Sequence, residues 1–261
     1  MTPARLALAV ALLLWSLAQF AALTHRIDHA RSWPANAAAA HNGHPVDRLA
    51  TPAIDAWGLN ISEEEALRAV HWEHYYFAHS PEIQQDSKTF KDDSKGFWIN
   101  YSKRRLVALG LHQKQAVELA PAVSAFMGEN YKPEAFVPEE ARMVLTTLQE
   151  AGYILGVVSN RDEPFQDELK RLNLDSYFRF CLAGGEVNSF KPDAHIFERA
   201  LELAGTSAEE TMYVGDNYFA DVVGAHRSGL LPVLFDPGQV FPDAECLVIK
   251  SFDELLPLVS K

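Results

Sequence analysis

Two cysteines among 261 residues, Cys181 and Cys246, allow one disulfide at most and exclude a disulfide-stapled scaffold. They fit core packing in a reduced compartment, and a cytoplasmic location is expected for the folded part. Positive charge is also scarce. The 23 Lys and Arg residues face 35 Asp and Glu, a formal net charge of -12. Nucleic acid and anionic lipid are repelled by the averaged field of such a chain, so no nucleic-acid partner is expected. A small phosphorylated metabolite remains compatible wherever a local cation holds it. Glycine and proline, at 14 each, are too few for a low-complexity chain, and 48% hydrophobic content supplies one large core or a core plus a smaller domain.

One long hydrophobic run stands against that soluble picture. Residues 6–23, Leu6 to Leu23, are apolar except for Ser16 and Gln19 and follow Arg5. That reaches the roughly 18 residues at which a membrane-spanning helix becomes a candidate. Ser16-Leu17-Ala18 also has the small-x-small pattern of a signal cleavage site. A membrane anchor, a cleaved signal and a mis-assigned start of the reading frame are all open readings. Residues 24–52 are rich in Ala, His, Pro and Arg, include Ala37 to Ala40, and hold neither helical nor strand period. Residues 1–52 are therefore set apart as a hydrophobic segment and a linker.

A readable pattern begins at Ser62. Ser62-Glu63-Glu64-Glu65 is a capping box, in which the hydroxyl accepts from the third helical amide and Glu65 reaches back. A helix from there through His79, then Phe97 to Leu109 and His112 to Met127, makes residues 53–136 a small all-helical domain. Its Trp72, Tyr75, Tyr76, Phe77 and Trp98 are expected to pack against one another. After Pro138 strands and helices alternate: strands at Tyr153 to Val158, Phe178 to Ala183, Met212 to Val214, Pro232 to Phe235 and Leu247 to Ile249, with helices at Glu139 to Ala151, Pro164 to Leu172, Pro192 to Ala204, Phe219 to Arg227 and from Asp253. Short buried-type strands separated by helices predict, for residues 137–261, an α/β, Rossmann-like parallel sheet with helices on both faces. Ligands of such sheets bind beyond the carboxyl ends of the strands.

Three of those ends carry polar residues that the sheet does not need. Ser159 and Asn160 follow Val157-Val158, where a hydroxyl, an amide and free backbone N–H groups suit phosphate oxygens. They are equally common as turn residues and helix caps. Lys191 precedes Pro192, placing an ammonium beside an expected helix start. Gly215-Asp216 ends a strand and Asp221 follows five residues later, a carboxylate pair suited to a hard divalent cation, although acids in a first turn also complement the helix dipole.

In this order and spacing, Val157-Val158-Ser159-Asn160, Ser189-Phe190-Lys191-Pro192-Asp193 and Tyr213-Val214-Gly215-Asp216-Asn217-Tyr218-Phe219-Ala220-Asp221 resemble motifs two, three and four of the haloacid dehalogenase-like (HAD) hydrolase superfamily. The helical segment before motif two resembles its four-helix cap. The resemblance covers residues 55–261 and implies a Mg²⁺-dependent phosphatase for a small phosphate monoester. Ser159 and Asn160 would bind the phosphoryl group, Lys191 would hold it together with a nucleophilic aspartate, and Asp216 would ligate Mg²⁺ with support from Asp221. Phosphoryl transfer is mostly positioning and charge neutralisation, which such a set supplies.

The first motif of that family, a central strand ending in Asp-x-Asp-x-Thr, is missing: no Asp-x-Asp occurs in the chain. Asp55 in Ile54-Asp55-Ala56-Trp57-Gly58 superficially resembles it but is followed by Leu59 where a threonine belongs. Asp28 and Asp47 lack both an apolar strand before them and an acid two residues on. The expectation is a phosphatase impaired or inactive for want of its nucleophile. The alternative is a non-catalytic relative that binds a metal or a phosphorylated ligand, with membrane contact through residues 6–23 as an open reading. Metal-free dehalogenation, a third reading, needs the same missing aspartate. A sheet without its middle strand would leave two rows of backbone groups unpaired, each costing roughly 1–3 kcal/mol. Part of residues 6–30, or a partner, must fill that slot unless the natural N-terminus differs.

Overall fold

The structure, a computed structural model, describes residues 7–10, 59–130 and 137–259. The chain divides into two compact units. One contains residues 1–16, 135–236 and 241–261, the other residues 17–134 and 237–240.

The first unit is built on a six-stranded sheet, β1 (Ala7–Val10), β2 (Ile154–Ser159), β3 (Phe180–Ala183), β4 (Thr211–Gly215), β5 (Leu231–Phe235) and β6 (Leu247–Ile249). The strand order is β3-β2-β1-β4-β5-β6, with every neighbouring pair parallel. All residues of β4 and all but the first of β2 are buried, at both odd and even positions, so both faces of these strands are covered. The α/β, Rossmann-like reading of this part therefore holds.

The middle slot is filled from the N-terminal hydrophobic run. Ala7, Leu8 and Ala9 pair with Ile154, Leu155 and Gly156 on one side, and Ala7 to Val10 pair with Thr211 to Val214 on the other. A four-residue strand of Ala, Leu and Val satisfies the ladder because pairing uses backbone groups, not side-chain chemistry. Ala7–Val10, within the apolar run of residues 6–23, is thus sheet, as expected if part of residues 6–30 fills the slot. No described helix is long and apolar enough to cross a membrane. Residues 11–23 lie outside the described residues, as do Asp28, Asp47 and Asp55.

Helices flank this sheet. Those of the described residues are α1 (Glu63–Phe77), α2 (Pro81–Thr89), α3 (Ser94–Ala108), α4 (Gln113–Asn130), α5 (Glu139–Glu150), α6 (Gln166–Arg171), α7 (Gly184–Val187), α8 (Ala194–Ala204), α9 (Val223–Arg227) and α10 (Leu255–Val259). The α8 helix buries Ile196, Phe197 and Ala200 in one cluster with Val158, Leu182 and Tyr213, clamping the carboxyl halves of β2, β3 and β4 together. Fully burying side chains of this size contributes roughly 1.5–3 kcal/mol each.

Two boundaries differ from expectation near the site. The predicted helix from Pro192 begins at Ala194, because Asp193 is the cap: its carboxylate accepts from His195 N–H at 3.0 Å. Lys191 and Pro192, joined by a cis bond, lie in the preceding turn, so Lys191 is not presented on a first helical turn. The predicted helix from Phe219 starts instead as a wider π turn, Tyr218–Val222, before α9.

The second unit, described over residues 59–130 and 237–240, is helical. The Ser62–Glu65 capping box forms as read, with Glu65 N–H donating to Ser62 Oγ at 3.2 Å and Ser62 N–H donating to Glu65 Oε2 at 2.9 Å. Between the expected helices lies α2, missed because its nine residues carry one large apolar side chain, Ile83. Ala69, Leu106, Leu109, Ala116, Ala120 and Val123 form one core cluster. The aromatics form another: Trp72 lies 5.0 Å from Tyr76 and 5.9 Å from Tyr101, ring centre to ring centre. Asp86 locks that cluster, accepting from Tyr76 Oη at 3.1 Å and pairing with Arg104 at 2.7 Å. His74, wholly buried, is held neutral, its pKa lowered to about 3 by burial and then by His71.

Every N–H of β1 faces a neighbouring strand on one side or the other. Ala9→Pro removes one and is expected to lower stability by roughly 1–3 kcal/mol, read as a lower urea midpoint. An unchanged midpoint would contradict the central position of this strand.

Candidate functional site

Ala7 pairs with both Ile154 and Thr211, so β2 and β4 run in step on either side of β1. Counting forward five residues on each puts Ser159 and Asp216 at the same height, about 10 Å apart at two strand spacings. These are the carboxyl ends where ligands of parallel sheets bind. The described part of the strand between them, Ala7–Val10, stops two positions short of that level, since Val10 pairs with Val214, and the sequence holds no carboxylate before Asp28.

Ser159 ends β2 with 3% of its surface exposed, and its Oγ finds no hydrogen-bond partner among the described residues. A buried hydroxyl without a partner loses roughly 1–3 kcal/mol, so such an atom marks a place where another group belongs. Asn160 behaves differently. Its Nδ2 donates to Lys191 C=O at 2.8 Å, and its Oδ1 accepts from Lys191 N–H at 2.6 Å. Both atoms of the amide are engaged with one backbone residue, Lys191. Arg161, the next cation along, is committed elsewhere: Nη1 pairs with Glu168 at 2.6 Å and the guanidinium lies 4.4 Å from the Phe165 ring centre.

Lys191 is 7% exposed and its Nζ donates to Asp221 Oδ1 at 2.6 Å. The ammonium also stands 5.7 Å from the centre of the Tyr213 ring. Burial works against its charge, but Asp221 and then Tyr213 outweigh burial and hold its pKa above the ordinary lysine range. The ammonium is therefore present throughout the physiological range.

The other Asp221 oxygen, Oδ2, accepts from Asn217 N–H at 2.9 Å. Asn217 in turn caps the π turn, its Oδ1 accepting from Phe219 N–H at 3.0 Å and Ala220 N–H at 2.9 Å. Gly215 makes room for this arrangement, because a Cβ there would collide with the Asp221 carboxyl group. Asp221 is thus a buried counter-charge, 3% exposed, with both oxygens engaged by nitrogen donors.

A Mg²⁺ ion would need several hard oxygen ligands converging. Among the described residues no three His, Cys, Asp or Glu side chains form such a group. The expected Asp216–Asp221 pair does not fit as a two-carboxylate cage, because Asp221 already neutralises Lys191. Of that pair, Asp216 remains as the candidate ligand among the described residues.

Sheet order and strand-end position define an α/β fold that carries Ser159 and Asp216 at the carboxyl edge of its sheet. A family model described as haloacid dehalogenase-like hydrolase matches residues 83–235, more than half of the chain, and the chain belongs to that family. The match begins at Ile83 and leaves β1 outside it.

Three curated relatives illustrate its range. Glyceraldehyde 3-phosphate phosphatase of Pyrococcus abyssi is 33% identical over 100 residues, 38% of this chain and 42% of that one. The (S)-2-haloacid dehalogenase 4A of Burkholderia cepacia is 32% identical over 136 residues, 50% of this chain and 58% of that one. Ribulose-1,5-bisphosphate 5-phosphatase of Halopiger xanaduensis is 32% identical over 140 residues, 49% and 58%. The chain thus spans about half the length of these relatives. A solved HAD phosphatase from Thermococcus onnurineus superposes with a TM-score of 0.50 at 20% identity, over 97% of both chains, and shares the fold.

Removing one partner of a buried ion pair strands the other charge. Lys191→Met is expected to cost roughly 3–5 kcal/mol, and Lys191→Met with Asp221→Asn to recover most of that loss in denaturant melts. Equal losses in the single and double variants would show that the pair is not buried as described.

Proposed function

We propose that the site binds the phosphoryl group of a small phosphate monoester, and that the chain as written does so without forming the aspartyl-phosphate on which family turnover depends. The observation that carries this reading is the central strand itself. The ends of β2 and β4 bring Ser159 and Asp216 to one level, with Lys191 paired to Asp221, but neither the strand between β2 and β4 nor the sequence that follows it holds a carboxylate before Asp28. A covalent route needs a carboxylate oxygen in line with phosphorus, and alanine, leucine and valine have none.

Binding needs less. The Ser159 hydroxyl donates to one phosphate oxygen and the Lys191 ammonium, with N–H groups left over after Asp221, meets another. Charge-assisted contacts of this kind in a buried setting outweigh the net negative charge of the surface, which screening by salt weakens over about 8–10 Å. Mg²⁺ is the cation that the family assignment suggests. In this chain Asp216 is the residue to which it would be assigned, and the proposed binding does not depend on it. The helical unit is read as the family's cap, and the protein as acting in the cytoplasm.

Inorganic phosphate is expected to raise the melting temperature of the purified protein, and Ser159→Ala to remove most of that rise. Aryl phosphate with Mg²⁺ is expected to be hydrolysed no faster than by Asp216→Asn. Turnover that disappears in Asp216→Asn would overturn the non-covalent reading, and the absence of any phosphate effect would overturn the site.

A further inference from the structure

We infer that Asn160 is a positioning residue for Lys191: it acts on a bound oxyanion through the lysine and makes no contact with the ligand itself. The inference rests on reading Ser159 and Lys191 as the phosphate contacts, and it deepens that reading by saying what fixes the distance between them.

Lys191 lies in a turn rather than a strand or helix, so no ladder supplies partners for its backbone N–H and C=O. Asn160 supplies both, with Oδ1 at 2.6 Å and Nδ2 at 2.8 Å. A planar amide that closes two hydrogen bonds on one residue fixes that residue's orientation as well as its position, as a neighbouring strand would. Pro192, next in line, has no N–H to offer as a substitute. A further bond ties the segment after β2 to α7, Gly185 N–H donating to Arg161 C=O at 3.1 Å.

The far end of the side chain is fixed as firmly. Asp221 takes the ammonium at 2.6 Å and is itself held by Asn217 N–H at 2.9 Å. Lys191 is therefore pinned at its backbone by the end of β2 and at its Nζ by the turn after β4. Long flexible lysines lose up to about 2 kcal/mol of rotamer freedom when ordered, and here that ordering is complete before any ligand arrives. Because Asn160 directly follows Ser159, one residue carries the hydroxyl and the next sets the ammonium. The spacing of the two contacts then depends on one peptide unit and one amide.

Asparagine is required at this position on chemical grounds. Aspartate keeps the size but turns a second oxygen towards Lys191 C=O, and alanine offers neither bond.

The test is a double-mutant cycle on inorganic phosphate binding by the full chain, measured by calorimetry, with urea melts of each unliganded variant. Asn160→Ala and Asn160→Asp are each expected to weaken phosphate binding roughly ten- to a hundredfold, the range found when an outer partner of a ligand residue is removed. Asn160→Ala combined with Lys191→Met is expected to bind within about twofold of Lys191→Met alone, because the amide acts only through the lysine. Effects that multiply would mean that Asn160 touches the ligand, and an unchanged affinity with a lowered urea midpoint would mean a purely structural role. Either result overturns the proposal. If the wild type binds no phosphate, the functional reading fails and positioning is judged from crystal structures of the unliganded proteins. Lys191 Nζ leaving Asp221 in Asn160→Ala supports the proposal, and Nζ remaining there overturns it.

Discussion

Everything in the first unit depends on the double ladder of Ala7–Val10. These four residues pair with β2 on one side and β4 on the other, and without them two rows of buried backbone groups would face each other across a gap. At roughly 1–3 kcal/mol for each unpaired group, a few such losses would exceed the roughly 5–15 kcal/mol by which a domain is stable. The same ladder also sets the site. By holding β2 and β4 in step it brings Ser159 and Asp216 level.

Charge is organised around one buried pair. An ammonium beneath the strand ends would be expensive alone, and Asp221 removes that expense while Tyr213 adds its ring face. This commits Asp221. The acid that its spacing from Asp216 marks as a metal ligand serves as the counter-charge of a lysine, and Asn217 N–H takes its second oxygen. The positive element of the site is therefore a fixed side chain in a chain of net negative charge.

What could be read from the sequence was what short-range physics decides. The capping box at Ser62 was legible because its two hydrogen bonds join residues three apart. The strands β2 and β4 were legible because a strand covered on both faces is a continuous apolar run bounded by polar residues. Positions 159, 191, 216 and 221 stood out because the sheet had no use for them. The central strand was hidden for the opposite reason: its pairing partners are more than 140 residues away, and the apolar stretch around it also satisfies the length of a membrane helix. The helix start was misread as Pro192 because proline suits a first turn, whereas Asp193 supplies the actual cap one residue later. Asn160 read as a ligand residue because its partner lies 31 positions along the chain, and no local rule connects them.

The fold belongs to a hydrolase family, and the chemistry of this member turns on what stands between two strand ends. The most direct measurement is a crystal structure of the protein soaked in inorganic phosphate. The account predicts an oxyanion within hydrogen-bond distance of Ser159 Oγ and Lys191 Nζ, with Ala7–Val10 paired between β2 and β4 and no carboxylate in line behind the phosphorus. A carboxylate facing the phosphorus from the central position, or a phosphate bound away from Ser159 and Lys191, would contradict it.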